Sequence, residues 1–203
     1  MKVFTCMEVF LLDDTSQKIM DATMKLVRDK GYTATTTKDI AKSAGVNECT
    51  LFRKFANKKD IVLQGMNQEK WRANVTPEVF QQVVWNLQQD LEMFMTAYME
   101  RVTADFVKLS IGLRAPQLYE ETAPLIMQIP QAFVSSLMEY FEEMEKKGLI
   151  PHDDYEYWAM TIFSSTFGYT FLKASFGNQL DKTRQDAYIR KSVAMFVNGI
   201  PKM

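Results

Sequence analysis

The sequence predicts an all-α protein with a helix-turn-helix near its N-terminus. Apolar residues recur every three or four positions through most of the chain, and nowhere do they alternate as in a strand. Ser, Thr, Asn or Asp precede several of these stretches and Gly follows, the start and stop chemistry of helices. Between Thr35 and Phe55, TTTKDIAKSAGVNECTLFRKF, two short helical patterns are joined by a turn containing Gly45.

That stretch carries its own local rules. Thr36 and Asp39 form a capping box, a hydroxyl for an orphan N–H and a carboxylate reaching back. Ile40, Ala41 and Ala44 supply a small apolar face, and Gly45 ends the helix by taking positive φ. Asn47 is an N-cap for a second helix over about Glu48–Phe55, with Leu51 and Phe55 inward. At 100° per residue, Cys49, Thr50 and Arg53 point away from that pair, with Phe52 and Lys54 on the flanks. The competing reading is a helical hairpin that only fills a core. Turn, caps and outward basic face together favour a helix that enters the DNA major groove.

The charge distribution agrees. The net charge of −1 conceals ten Lys/Arg against five Asp/Glu over residues 15–65, and thirteen against seventeen over residues 66–203. A basic module on an acidic chain suits a nucleic-acid partner at one end. Two cysteines, Cys6 and Cys49, build no disulfide framework in a chain of 203 residues and suit a reducing compartment. The first residues lack a signal-peptide pattern, and the acid-free run Tyr157–Phe176 holds Lys173 and several Ser/Thr, which suits an interface helix better than a membrane span. The expectation is a cytoplasmic protein with no membrane association.

In chain order, residues 1–14 are apolar enough for a short packed helix or a partly flexible extension. Helix one is expected from a cap near Ser16, with Ile19, Ala22, Thr23, Leu26 and Val27 in helical register and Gly31 as its end. Asn57 with Asp60 caps a fourth helix, expected from Lys58 to about Trp71. From Thr76 aromatic residues and Met become frequent. Pro77 suits a first turn, and Phe80, Val83, Val84, Leu87, Leu91, Phe94, Met95 and Tyr98 predict one broad face running to about Arg101. Further helices are expected over Ala104–Arg114, from Pro124 to Lys147 with Pro130 as a kink, over Asp153–Ser175, and over Lys182–Asn198. The domains read as an extension (1–14), a DNA-binding unit (15–63) and a ligand-binding and dimerisation unit (64–203).

The pattern Gly31-Tyr32-x-Ala34-Thr35-Thr36-x-Lys38-Asp39-Ile40-Ala41-x-x-Ala44-Gly45-Val46-x-x-x-Thr50-Leu51-Phe52-x-x-Phe55-x-x-Lys58-x-Asp60 resembles the TetR/AcrR family of bacterial transcriptional regulators, over about Ser16–Leu63. The resemblance implies a homodimeric repressor whose C-terminal helical domain takes an inducer and dimerises through its last two long helices. It implies that Thr37 and Lys38 meet DNA at the start of the second helix. Glu48, Cys49, Thr50, Phe52, Arg53 and Lys54 would lie in or beside the major groove, and Lys58 would hold a phosphate. The sequence departs from the family at Phe52, where Tyr is usual, and at Cys49, where a small residue is common.

Fourteen Met suit an adaptable apolar cavity, so a lipophilic inducer is expected rather than a sugar or nucleotide. Phe94, Tyr98, Phe106, Met127 and Phe167 are the candidate wall residues, against the plain reading that each is helix core. Ser164, Ser165, Gly168 and Ala174 sit among aromatics. With Ile189, Val193, Met195, Phe196 and Val197 they suggest a four-helix dimer interface, a choice over intradomain core that the resemblance tips. His152 reads as a solvated loop residue, and no catalytic motif, cofactor loop or metal-ligand spacing appears. The sequence therefore points to a ligand-responsive repressor of a palindromic double-stranded operator, not an enzyme. The rivals are an interaction protein of this fold using DNA as a platform, and a helical carrier without DNA binding.

Overall fold

The computed structural model describes residues 13–68, 77–177, 179 and 182–200, and these residues contain helices and no strand. The expectations for the extension up to residue 12, and for the fourth helix between 69 and Trp71, lie outside them.

Helix α1 (Asp14–Lys30) is started by Asp13, not Ser16. The Asp13 carboxylate accepts from the backbone N–H of Thr15 and Ser16 and from the Ser16 hydroxyl, so a charged acceptor fills the cap two residues before the Thr15–Ser16 pair. Helices α2 (Thr37–Ala44) and α3 (Glu48–Lys54) follow, with the Thr36–Asp39 capping box and Gly45 at φ 70° between them. Helix α4 (Lys58–Met66) is capped by Asn57. Ile19, Met20, Ile40, Leu51, Phe55 and Ile61 form the small core of this unit. Each such aliphatic or aromatic side chain contributes ~1.5–3 kcal/mol on burial.

The larger unit opens with a 3₁₀ turn, Pro77–Gln82, followed by α5 (Leu87–Arg101). The sequence predicts one helix here, but the chain breaks between them: Trp85 takes φ 59°, Asn86 starts a new helix, and Val84 is exposed. Three contacts hold the break. Trp85 stacks on Tyr140, the Lys147 ammonium lies 4.3 Å from the Trp85 ring centre, and the buried Asp90 accepts from the Val84 N–H at 2.9 Å. Helix α6 (Ala104–Gly112) leads to α7 (Tyr119–Lys146). Pro124 lies inside α7 and does not open it. The added turn before it is docked by Leu118 and Thr122, both fully buried, the Thr122 hydroxyl donating to the Leu113 and Leu118 carbonyls. Helices α8 (Tyr155–Phe176) and α9 (Gln185–Gly199) complete the bundle.

The two units meet along α1 and α6. Met24, Val27 and Val62 from the first pack on Leu109, Leu113 and Leu118 from the second. The Tyr32 N–H donates to the Gly112 carbonyl at 3.1 Å. A Cβ on Gly112 would fall 2.2 Å from the Val27 carbonyl oxygen, so only glycine permits this approach. Lys59 of α4 and Glu121 of α7 form an ion pair across the same junction.

Candidate nucleic-acid interface and ligand cavity

The first site is the outer surface of α2 and α3. Leu51 and Phe55 are buried in the small core, which fixes the rotation of α3 and turns Glu48, Cys49, Phe52, Arg53 and Lys54 outward, with Thr50 half-buried. Thr37 and the exposed Lys38 begin α2, and the Thr37 hydroxyl donates to the Glu48 carboxylate at 2.8 Å, tying the first turns of the two helices together. Lys54 is bridged to Asp13 at 2.8 Å, a contact invisible in the local pattern. The Lys54 ammonium, ahead of the backbone N–H groups, holds the Asp13 carboxyl far below its ordinary range. Phe52 is 53% exposed, a large apolar side chain with no intramolecular reason to face water. Arg53 forms no ion pair with any described residue.

Lys58 is placed differently from the phosphate contact implied by the resemblance. Its ammonium donates to the carbonyls of Tyr32 (2.8 Å) and Thr35 (2.6 Å) and lies 4.0 Å from the Tyr32 ring centre. Partial burial, and then the charge of Lys30, lower its pKa. The side chain ties the start of α4 to the loop between α1 and α2.

The second site is a cavity of ≈ 200 Å³ among α5, α6, α7 and α8. Tyr98, Phe106, Met127 and Phe167 all line it. Phe94 does not: it is fully buried behind the wall, stacked on Phe80 at 4.1 Å. Ser110 and Arg114 complete the polar side of the wall and went unnoticed in the sequence. The spacing of four between Phe106, Ser110 and Arg114 fits one face of the helix expected over Ala104–Arg114, although α6 ends at Gly112 and Arg114 reaches the cavity from the loop beyond it.

The residues expected at a dimer face are likewise redistributed. Ala174, Tyr169, Ile189 and Val193 are buried in this chain's own core, and Phe163 and Phe167 belong to the cavity. The apolar residues left outward on the last two helices are Tyr157 (73% exposed), Met160, Leu172, Phe176 and Met195 (77%), with Ser164 exposed and Gly168 half-buried between them. His152 is exposed and meets Glu145 at 2.9 Å. Among the described residues no cluster of metal ligands occurs, and no helix is long and apolar enough to cross a membrane.

Comparison with known proteins agrees with this geometry. Residues 19–64 match the family of bacterial regulatory proteins of the tetR type, and residues 86–199 match the C-terminal domain of AefR-like transcriptional repressors. The HTH-type transcriptional regulator YvkB of Bacillus subtilis (strain 168) is 31% identical over 186 residues, covering 92% of this chain and 97% of that protein. Two solved structures share the fold. NalD of Pseudomonas aeruginosa, the secondary repressor of the MexAB-OprM multidrug efflux pump, has a TM-score of 0.67 at 16% identity and covers 93% of this chain and 96% of its own. The regulator FadR of Bacillus subtilis, solved with stearoyl-CoA, has a TM-score of 0.65 at 20% identity and covers 91% and 99%. With an exposed recognition helix on a capped helix-turn-helix and both halves of the chain matched, this protein belongs to the TetR family of bacterial transcriptional regulators.

Proposed function

We propose that the protein is a homodimeric repressor that leaves a palindromic operator when a small lipophilic molecule fills the cavity among α5–α8. Residues 15–63 read DNA, and residues 64–203 hold the ligand and the partner subunit. Thr37, Lys38, Glu48, Cys49, Thr50, Phe52, Arg53 and Lys54 face the duplex, while Lys58 holds the reading unit together from inside. Two copies of α3 enter successive major grooves ~34–36 Å apart.

The observation that carries the reading is the tight seat of α6 on α1. The cavity wall includes Phe106, Val107 and Ser110 of α6, and the same helix ends at Gly112, against the Val27 carbonyl and the Tyr32 N–H. A ligand that displaces α6 must therefore move α1 and, through the small core, α3. Such a ligand biases the dimer toward a spacing that misses the half-sites, because it binds that arrangement better. The regulators NalD and FadR, one a repressor and one solved with an acyl thioester, support the same reading by shape alone.

The test is a polarisation assay of the pure protein on a duplex taken from the DNA flanking its gene. Salt-dependent binding to one palindrome, released by a compound whose effect is lost in Phe167→Trp, is expected. Binding unchanged by any compound that occupies the cavity would contradict operator release.

A further inference from the structure

The cavity among α5–α8 has a polarity that its lipophilic walls do not explain. Tyr98 is only 2% exposed, lines the cavity, and its hydroxyl makes no hydrogen bond to any described residue. Its ring is fixed by Phe133 at 4.8 Å and Phe163 at 6.0 Å. A buried hydroxyl without a partner forfeits a hydrogen bond that water supplied in the unfolded chain, so its placement calls for a partner from outside the chain. Arg114, exposed to solvent at the cavity's rim, also lines the cavity, and its guanidinium makes neither an ion pair nor a hydrogen bond with any described residue, so its fork is open to a ligand. It is shared with an open cleft next door, where Lys108 has no ion pair with any described residue, while Arg28 is bridged to Asp29 and Asp105 and Lys30 to Asp39. The apolar void and this cleft thus share Arg114 as a wall residue, with Lys108 as the second unpaired cation of the cleft.

The volume limits the occupant. A dry cavity of about 150 Å³ takes one benzene ring, and drug-sized ligands need roughly 300 Å³ or more. At ≈ 200 Å³ this cavity has room for one ring and a small substituent. Its aromatic lining, with Phe163 stacked near Phe167 at 5.7 Å, suits a ring better than a flexible chain.

Resting on the ligand-responsive reading above, we propose that the effector is a compact monocyclic aromatic acid, its ring among Phe106, Phe163 and Phe167, its carboxylate on Arg114 and a ring hydroxyl on Tyr98. The guanidinium fork can donate two parallel hydrogen bonds to one carboxylate. Ser110 also lines the cavity, but its hydroxyl donates to the Val107 carbonyl at 2.8 Å, which leaves Arg114 as the donor for the carboxylate. The acid enters from the cleft, where Lys108 and Arg114, neither of them ion-paired with a described residue, attract it to the mouth.

The experiment is calorimetric titration of the full chain with benzoate, 4-hydroxybenzoate and the neutral isostere benzamide, on wild type, Arg114→Met and Tyr98→Phe, with thermal melts of each ligand-free variant. Benzoate should bind wild type at least about tenfold more tightly than benzamide, and Arg114→Met should erase that advantage. Arg114→Gln, also uncharged, serves if Arg114→Met does not fold. 4-Hydroxybenzoate should bind more tightly than benzoate by about fivefold, a margin that Tyr98→Phe removes. Equal affinity for benzoate and benzamide, or full benzoate affinity in Arg114→Met, overturns the acid assignment. Binding of neutral indole or of a long-chain fatty acid, sensitive to Phe167→Trp and without benzoate binding, also overturns it while leaving a ligand-responsive regulator standing. Failure of every probe to bind overturns the acid assignment, while the ligand-responsive reading stands or falls by the operator-release assay.

Discussion

The Lys58 ammonium sits 2.6 Å from the carbonyl oxygen of Thr35, with the Tyr32 carbonyl as its second acceptor. Helix α4 is thereby stapled to the loop that presents α2. Lys58→Met should cost about 1–2 kcal/mol of stability, the worth of hydrogen bonds from a charged donor in a half-buried site. Operator and scrambled DNA should weaken together, and the slope of log affinity on log salt should not change. A lysine on a phosphate would lower that slope by about one per subunit. Chemical denaturation and a salt series on both duplexes check this.

Arg53 is the complementary case. It faces outward from α3 and forms no ion pair with any described residue, so its fork is free for a guanine edge. Arg53→Ala should cost ~1–3 kcal/mol on the operator and flatten preference at one base position, with little effect on scrambled DNA. Loss of both duplexes by equal factors would show that Arg53 holds backbone instead.

Gly112 tests the junction. An alanine methyl there meets the Val27 carbonyl oxygen at 2.2 Å, a backbone atom that cannot swing away. Gly112→Ala should destabilise the chain by about 1–3 kcal/mol and weaken ligand-free operator binding, because α6 must lift from α1. A Gly65→Ala control meets only the flexible Met24 side chain, at 2.9 Å, and should be milder. Equal losses in the two variants would remove the special role of the α1–α6 contact.

Gly168 lies on the outward face of α8 with nothing within 4 Å of a built Cβ. Gly168→Arg is therefore harmless to the isolated fold but obstructs close approach of a second α8. Light scattering should report a monomer with an unchanged helical circular dichroism spectrum. A dimer of unchanged mass would place the subunit interface elsewhere.

Acid stability reports on the start of α2. The Asp39 carboxylate accepts from the Lys30 ammonium and from the Thr36 hydroxyl and N–H, which lower its pKa from 3.8 to about 2. Because the folded value is depressed, the stabilisation is complete above pH 3.8 and fades as pH falls toward about 2. Over that window the denaturation midpoint of wild type should fall more steeply than that of Asp39→Asn, whose amide oxygen still accepts from Thr36. Parallel slopes would assign acid sensitivity to other carboxyls, Asp13 first.

Much of the reading unit was legible in the sequence because its rules act within four residues. Thr36 with Asp39, Asn47 with Thr50 and Asn57 with Asp60 are cap contacts spanning three positions, and Gly45 supplies a positive φ that few other residues tolerate. The Leu51–Phe55 spacing alone determined which side of α3 faces outward. What the sequence misplaced depends on residues distant along the chain. The break at Trp85 lies inside an apolar pattern that stays in phase on both sides, and Tyr140, Lys147 and the buried Asp90 decide it. Pro124 reads as a helix start, yet burial of Leu118 and Thr122 holds an additional turn before it. The inward turn of Lys58, the exclusion of Phe94 from the cavity and the placing of Tyr98 and Arg114 on one cavity were decided only by tertiary packing. Periodicity gives the direction of a side chain relative to its own helix, whereas the shape of a void depends on how four helices pack together.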